Sequence, residues 1–485
     1  MSHKVIIRQL ATGVPGLDHI LGGGLPEFSF NIIVGAPGAG KTTLAHQIMF
    51  ALATKENPAL FFTVLGEPPL KMLRYQQQFS FFDPDKINKS VRFIDLRDEV
   101  STGSLSEVLA RITHEVEAAS PGLVFVDSFR SLMLEARLCA EGTISPQQFI
   151  TQLGILLGGW QATTFLVGEY LSEIEPHPIF TVADGLLSLT QNVYRNSMVR
   201  QIQILKMRGQ STHPGLHSFR ITSDGIKVFP AAMVHDDIGV GQESPDEHIR
   251  KTRLAMGVPG LDDMLGGGLP AGYSLLVAGP SGSGKTILAS TFLAEGVRRG
   301  EPGIIVAFEQ TPSPSRTCAL HNMVRAGQIG LINPRSLDLS LDEIVWHLTD
   351  MISQMKATRV VIDSLSGFEL AVAPCFREDF RESLFHMAAI LSHLGVTVLM
   401  TSELEDRYTD LRFSPYGSAF LTDAIIVQRY IEIESRLKRV LAVVKVRGSA
   451  HNDELRQYEI TNEGIVIGTP LLDYEGLLGG QPAQT

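Results

Sequence analysis

The chain has 485 residues, of which 44% are apolar and 19% charged, and its formal net charge is −11. This length allows more than one buried core, and the acidic balance argues against broad nucleic-acid binding, which needs a basic face to neutralise phosphates. No apolar leader opens the chain, and no run of about 18 apolar residues would span a membrane. We therefore expect a cytoplasmic protein with no membrane contact and no nucleic-acid partner.

The sequence contains a long internal repeat. The hexapeptides GVPGLD and LGGGLP, which begin at Gly13 and Leu21, recur 244 residues later. Further along, K-h-R-G from Lys206 (h, an apolar residue) and I-T-x-x-G-I from Ile221 recur 239 residues later. A period of this length indicates a domain duplication rather than a solenoid repeat. We predict a first domain over residues 1–232, a polar linker over 233–250, and a second domain over 251–485 that ends in a short C-terminal tail.

Short apolar runs rich in β-forming residues alternate with longer helical patterns in each half. Examples in the first half are residues 30–34, 59–64, 123–126 and 164–167. This alternation is typical of an α/β fold with a mainly parallel sheet covered on both faces.

Each half carries the phosphate-binding pattern G-x-x-x-x-G-K-[ST] between an apolar strand and an apparent helix. Glycines let backbone N–H groups point at phosphate oxygens, and the helix begins there with its positive end. Lys41 and Lys285 would reach the β- and γ-phosphates of ATP, and the hydroxyls of Thr42 and Thr286 would bind Mg²⁺. The predicted nucleotide-binding residues are Gly35, Ala36, Pro37, Gly38, Ala39, Gly40, Lys41, Thr42 and Thr43, and Gly279, Pro280, Ser281, Gly282, Ser283, Gly284, Lys285, Thr286 and Ile287. The fold predicted is α/β, with two tandem RecA-like P-loop domains, each a mainly parallel twisted sheet flanked by helices.

An aspartate ends an apolar run downstream of each P-loop. Asp127 follows Leu-Val-Phe-Val, and Asp363 follows Val-Val-Ile. A buried strand that delivers a carboxylate at its end suits the second protein contribution to a magnesium site. We predict Asp127 and Asp363 as metal-site residues together with the P-loop threonines.

Hydrolysis also needs a group that orients or deprotonates water. In RecA-like folds an acid at the end of the strand after the P-loop helix does this, and the candidates here are Glu67 and Glu309. Glu67 follows Gly66, whereas Glu309 precedes Gln310, so the two acids are displaced by one residue. Because side chains alternate faces along a strand, the two carboxylates can point differently.

Two cations recur near the end of each half. Lys206 and Arg208, like Lys445 and Arg447, occupy alternate positions of an extended segment and so lie on one side of it. In ring ATPases a neighbouring subunit supplies cations to the γ-phosphate and stabilises the transition-state charge. We predict that role for both pairs.

Taken jointly, these motifs resemble the KaiC family, the circadian-clock ATPase and autokinase and its relatives. The resemblance covers nearly the whole chain and rests on the GVPGLD…GGLP entry, the P-loops, the apolar-Asp-Ser runs, and the K-h-R-G segment followed by I-T-x-x-G-I. It implies a homo-hexamer of stacked double rings that binds ATP and Mg²⁺ between subunits and signals its nucleotide state to partner proteins not identified by the sequence. It also implies that the two basic pairs reach the neighbour's ATP, and that His451 belongs to the nucleotide site.

The chain departs from the clock protein at several positions. The clock protein has adjacent acids where each half here has one, and Ala419 and Phe420 stand where its Ser-Thr phosphoacceptors lie. Its longer tail engages a stimulating partner. We therefore expect an ATPase whose conformational state is read by partners. The alternatives are an autokinase acting on Ser418 or Thr422, a DNA-dependent RecA-like motor, and a nucleotide-sensing scaffold with little hydrolysis.

Overall fold

The computed structural model divides the chain into two compact units, Met1–Ala231 and Ala232–Thr485. It describes residues 7–63, 69–101, 105–128, 146–169, 178–194, 197–231, 252–308, 318–334, 339–377, 380–404, 422–433, 435–462, 464–471, 474–475 and 483–484. The expected linker over 233–250 lies outside these residues, so the domain bounds stay a prediction.

The first unit is built on a sheet that has nine strands in the described part of the chain. The order across the sheet is β11-β10-β9-β8-β3-β7-β6-β4-β5, and β1 pairs separately with β2. Neighbours from β8 to β5 are parallel, whereas β8 to β11 form an antiparallel extension. The strands are β1 (Gln9–Leu10), β2 (Leu25–Pro26), β3 (Phe30–Gly35), β4 (Ala59–Thr63), β5 (Val91–Asp95), β6 (Leu123–Asp127), β7 (Thr163–Gly168), β8 (Gly185–Tyr194), β9 (Ser197–Met207), β10 (His217–Thr222) and β11 (Gly225–Phe229).

Helices cover both faces of this sheet. They are α1 (Leu17–Leu21), α2 (Lys41–Leu52), α3 (Pro69–Gln76), α4 (Arg97–Ser101), α5 (Leu105–Ala119), α6 (Pro146–Gly159) and α7 (Pro178–Val182), with a 3₁₀ turn at Pro84–Lys86. Side chains of one strand alternate between the two faces. In β6, Phe125 packs on the face that α2 covers, whereas Val124 and Val126 pack with Val108 and Ile112 of α5. Burial on both faces explains why the central strands are apolar without interruption.

The second unit repeats this arrangement with the sheet order β16-β15-β17-β18-β14-β19-β20-β21-β22, again counted over the described residues. Neighbours from β16 to β19 are parallel and the remaining pairs are antiparallel. The strands are β12 (Arg253–Leu254), β13 (Leu269–Pro270), β14 (Ser274–Gly279), β15 (Gly303–Ala307), β16 (Ile329–Ile332), β17 (Arg359–Asp363), β18 (Thr397–Glu403), β19 (Ala424–Ile433), β20 (Arg436–Val446), β21 (Arg456–Thr461), β22 (Gly464–Pro470), β23 (Tyr474–Glu475) and β24 (Ala483–Gln484).

The helices of the second unit also lie on both faces of its sheet. They are α8 (Pro259–Met264), α9 (Lys285–Arg298), α10 (Cys318–Arg325), α11 (Leu341–Met355), α12 (Leu365–Ala371) and α13 (Phe380–His393), with a 3₁₀ turn at Pro374–Phe376. None of the helices in the described part of the chain is long and apolar enough to cross a membrane. The prediction of two tandem RecA-like domains with mainly parallel sheets is confirmed. In such sheets the loops at the carboxyl ends of the parallel strands are where ligands bind.

Candidate nucleotide sites

The P-loops join β3 to α2 and β14 to α9 at the carboxyl ends of the parallel strands. Gly40, which precedes α2, has φ 101°, a left-handed conformation that glycine adopts without strain. A Cβ atom at this position would lie 2.8 Å from Ile221 Cδ1. Gly284 repeats both features before α9, with φ 99° and a distance of 2.9 Å to Ile460 Cδ1. Both loops therefore require glycine at this point.

The two P-loop lysines lie against the backbone of their own loops. Lys41 Nζ donates to the carbonyl of Ala36 at 2.9 Å. Lys285 Nζ donates to the carbonyls of Gly279 and Pro280, both at 2.8 Å. Each ammonium group is held within its loop, where a phosphate-binding lysine acts.

A threonine and an aspartate meet beside each P-loop, as the sequence predicts. Thr42 Oγ1 donates to Asp127 Oδ2 at 2.7 Å, and Thr286 Oγ1 donates to Asp363 Oδ2 at 2.8 Å. Hydroxyl and carboxylate oxygens are ligands that suit Mg²⁺, which takes few protein groups and completes its shell with phosphates and water. Within the described ranges no group of three His, Cys, Asp or Glu side chains could hold a metal.

Asp127 is a buried carboxylate with 5% of its surface exposed. Burial raises the pKa of its carboxyl to about 6, although the Thr42 hydroxyl and the Lys41 ammonium oppose this and Glu169 adds to it. Burial also lowers the pKa of Lys41, and the charges of Glu169 and Asp127 oppose that shift. Thr42 donates a hydrogen bond to this buried carboxylate, and the Lys41 ammonium lies nearby. A divalent cation would compensate the charge of the carboxylate further.

The two aspartates differ in the side chain that the neighbouring strand places opposite them. In the second half, Thr401 of β18 donates a hydrogen bond from Oγ1 to Asp363 Oδ1. In the first half the residue opposite Asp127 on β7 is Val167, which has no donor in its side chain. The two candidate metal-site carboxylates therefore differ in hydrogen bonding although their sequence motifs match.

An open cavity of about 310 Å³ surrounds the first P-loop. This volume is within the range of small-molecule sites in proteins. The residues that line it are Pro37, Gly38, Gly40, Lys41, Thr42, Thr43, Asp127, Ser128, Glu169 and Ile221.

Glu169 was missed by sequence reasoning. It follows β7 directly, and β7 lies between the P-loop strand β3 and the Asp127 strand β6. The second half has Glu403 at the corresponding position, at the end of β18 and opposite Gly279 of β14. The sequence does contain a pattern that could have indicated these glutamates. Two matching runs, Thr163 to Glu169 and Thr397 to Glu403, each start with threonine and end in glutamate.

A buried polar group supports the second P-loop. Ser283 Oγ donates to Gln428 Oε1 at 3.0 Å, and the Tyr458 hydroxyl donates to the carbonyl of Ser283. Burial raises the pKa of Tyr458. The corresponding residues of the first half are apolar: Ala39, Leu189 and Phe219. The first P-loop therefore packs on apolar groups where the second is hydrogen-bonded.

The predicted basic pair of the first half bonds to its own chain. Lys206 Nζ donates to the carbonyls of Phe180 and Thr181, at 3.0 and 3.1 Å. Arg208 donates to the carbonyl of Thr181 at 3.0 Å, and its guanidinium lies 3.4 Å from a carboxylate oxygen of Asp184. Burial and the Arg208 charge lower the pKa of Lys206.

The second basic pair has similar surroundings. Lys445 Nζ donates to the carbonyl of Thr422 at 2.6 Å, and Arg447 lies 3.7 Å from a carboxylate oxygen of Asp423. Burial and the Arg447 charge lower the pKa of Lys445.

Both basic pairs lie near the amino ends of the parallel strands, whereas the P-loops lie at the carboxyl ends of these strands. Lys206 pairs with Leu186 of β8, which in turn lies beside Ile32 of β3. Ile32 comes three residues before Gly35, a distance of about 10 Å along the strand. Arg208 lies beyond Lys206, further from the loop. The pair is thus placed away from the nucleotide site of its own domain.

The two candidate catalytic acids, Glu67 and Glu309, lie outside the described residues. The strands that precede them nevertheless end beside the two predicted metal-site aspartates. Thr63 of β4 pairs with Asp127, and Phe308 N donates to the carbonyl of Asp363 at 2.9 Å.

The structure describes two of the remaining predicted positions, His451 and Thr422. His451 Nδ1 lies 3.4 Å from the carbonyl of Ser449. Thr422 is fully buried, whereas Ser418, Ala419 and Phe420 lie outside the described residues.

Comparison with known proteins identifies the family. A family model described as "ATPase: KaiC" matches residues 10–233 and 254–471. The chain is 27% identical to the circadian clock oscillator protein KaiC of Picosynechococcus sp., with 99% of this chain and 93% of that protein aligned. It is 27% identical to circadian clock oscillator protein KaiC 1 of Synechocystis sp. (99% and 92%) and 26% identical to KaiC of Rippkaea orientalis (99% and 92%). The chain belongs to the KaiC family of ATPases, with the family domain present twice.

Proposed function

We propose that each half binds Mg·ATP at its P-loop and hydrolyses it to ADP and phosphate. The observation that carries this proposal is the pairing of Thr42 with Asp127 at 2.7 Å and of Thr286 with Asp363 at 2.8 Å, each beside a lysine held in a P-loop. One such cluster is a plausible accident of a glycine-rich turn. Two clusters with the same geometry in a duplicated chain favour a common purpose.

The residues divide by role in this proposal. Loop amides and Lys41 or Lys285 hold the phosphates, and the Thr–Asp pairs hold the metal. When bound, magnesium offsets the negative charge of the β- and γ-phosphates. Glu67 and Glu309 orient or deprotonate the attacking water. We also propose the domain bounds 1–232 and 251–485, because the P-loop cluster in each range is complete within it.

We further propose that the nucleotide is shared between neighbouring subunits of a homo-hexameric ring, as the family resemblance implies. Support comes from the position of Lys206 and Arg208, about 10 Å along the strands from their own P-loop edge. A cation pair there serves a γ-phosphate only if the phosphate belongs to another subunit. Lys445, Arg447 and His451 would act likewise in the second half.

In this proposal, hydrolysis changes the conformational state of the protein, and partner proteins read that state. Autophosphorylation ranks below it, because Thr422 is fully buried and Ala419 and Phe420 have no hydroxyl.

The experiment is incubation with Mg·ATP, followed by phosphate release and by intact-mass measurement on the same sample. We expect steady phosphate release without a phosphoryl adduct, and slower release in Glu67→Gln and Glu309→Gln variants that still bind ATP. An adduct that grows with time would instead support the autokinase, and DNA-stimulated release would support the motor.

A further inference from the structure

The two nucleotide sites share an acid that belongs to none of the sequence motifs. Glu169 follows β7 and Glu403 ends β18, and each of these strands separates the P-loop strand from the aspartate strand. Neighbouring parallel strands lie about 4.8 Å apart and end at the same edge of the sheet. This places each glutamate between the phosphate loop and the metal-site aspartate.

Glu169 belongs to the first cavity together with Lys41, Thr42 and Asp127. Its charge acts on both charged neighbours, since it raises the pKa of Lys41 and that of Asp127. Glu169 itself is partly exposed to the cavity, so water has access to it. With one positive and two negative side chains, the cluster carries a net charge of −1.

This charge distribution favours a cation over a phosphate as the neighbour of Glu169. A further side chain that bound the phosphates, beside the loop amides and the lysine, would carry a positive charge or donate an N–H hydrogen bond. A carboxylate repels the triphosphate, but it accepts hydrogen bonds from the water molecules that Mg²⁺ usually retains. Groups that hold the shell of a metal in this way tune its affinity.

We propose that Glu169 and Glu403 are positioning residues of the two metal sites, each accepting a hydrogen bond from a water of the magnesium shell. This inference rests on the proposed function, because it needs Mg·nucleotide to bind beside Thr42 and Asp127. It differs from the role given to Glu67 and Glu309, which act on the attacking water.

The test measures metal dependence rather than turnover. In a Lys285→Ala background, which leaves the first site for nucleotide, a fluorescent ADP analogue is titrated at increasing Mg²⁺ concentration and also in EDTA. We expect Glu169→Gln to raise the Mg²⁺ concentration for half-saturation roughly tenfold. In EDTA the same variant should bind the analogue as well as, or more tightly than, the parent, because a negative charge near the phosphates has gone.

Glu117→Gln is the matched control, since it removes an exposed carboxylate of α5 outside the cavity. Glu169→Asp keeps the charge and should fall between the parent and Glu169→Gln. Equal Mg²⁺ midpoints for the Glu169→Gln and Glu117→Gln variants would overturn the inference. If the parent retains no analogue at saturating Mg²⁺, the proposed function fails instead.

The second half provides an independent version of the test. Glu403 is exposed, so Glu403→Gln should leave folding intact. This variant therefore keeps the inference testable even if Glu169→Gln fails to fold. In a Lys41→Ala background it should show the same tenfold rise, and an unchanged midpoint would count against the inference.

Discussion

A buried histidine on the first P-loop helix should make the first domain sensitive to acid. His46 has no exposed surface, and its ring packs against Phe61 and Phe93 with centroid distances of 4.6 and 5.9 Å. Burial lowers its pKa from 6.5 to about 4, and the Gln76 side chain opposes this shift. The unfolded chain therefore takes up a proton below pH 6.5, whereas the folded protein does so only near pH 4 and below.

The sign and size of the effect follow from these two pKa values. The neutral ring is compatible with the fold above pH 6.5, and this stability is lost as the pH falls through the window down to about 4. The expected loss from His46 alone is about 2 kcal/mol at pH 5 and about 3 kcal/mol at pH 4. Replacement by leucine, which does not titrate, should abolish this part of the pH dependence.

The two tryptophans give a separate reporter for each domain. Trp160 lies in the first unit and Trp346 in the second, and the chain has two tryptophans in all. Urea unfolding is followed by Trp160 fluorescence in a Trp346→Phe background, at pH 7.5 and pH 5, with and without His46→Leu. The substitution itself changes the free energy of unfolding at both pH values. The quantity of interest is therefore how the difference in unfolding free energy between wild type and His46→Leu changes with pH.

We expect the difference between wild type and His46→Leu to shift by about 2 kcal/mol in favour of leucine on going from pH 7.5 to pH 5. The second domain serves as the control, followed by Trp346 fluorescence in a separate Trp160→Phe background, because Ser290 occupies the corresponding helix position. A difference that stays constant within about 0.5 kcal/mol over this range would contradict this prediction, because the histidine would then titrate alike in the folded and unfolded states.

Three further predictions concern the second domain. Thr401→Val should lower its free energy of unfolding by about 2 kcal/mol in urea titrations, because the Asp363 carboxylate loses a buried donor; no loss would mean that water replaces the hydroxyl. Tyr458→Phe should weaken ADP binding about fivefold in calorimetry, since a P-loop carbonyl loses its donor; unchanged affinity would make the contact incidental. Glu301→Ala should lower the unfolding free energy by about 2 to 3 kcal/mol, because it leaves the fully buried Arg359 without its carboxylate; a loss below about 0.5 kcal/mol would contradict this.

The fold and the core of each site could be predicted because their signals are local or repeated. The P-loop glycines, the lysine and the threonine occupy one short segment, and Gly40 stands where a left-handed backbone and a close Ile221 side chain exclude other residues. The proximity of Asp127 to Thr42 could be predicted because the carboxyl ends of neighbouring parallel strands meet at the end of the sheet where the P-loop begins. The duplication then turned weak patterns into strong ones.

Other features depend on strand order and register, which the sequence does not display. The proximity of Glu169 and Glu403 to the P-loops becomes visible only when the strand order places their strands beside the P-loop strands. Val167 and Thr401 look alike as strand residues, but the Val167 side chain has no donor for Asp127, whereas Thr401 donates a hydrogen bond to Asp363. The position of Lys206 at the far edge of the sheet likewise requires the pairing of three strands.

The support of the second P-loop was also beyond sequence reasoning. Ser283 contacts Gln428 and Tyr458, which lie 145 and 175 residues away in the chain. In the first half the same three positions are apolar, so the motif alone gives no reason to expect a difference between the two loops.

We propose above that each half holds one Mg·ATP through its P-loop lysine and its Thr–Asp pair. Equilibrium dialysis with a slowly hydrolysed ATP analogue and Mg²⁺ tests it directly, on wild type and on the Lys41→Ala and Lys285→Ala variants. We expect two nucleotides per chain in wild type and one in each variant. Two nucleotides retained in either variant, or none in wild type, would contradict it.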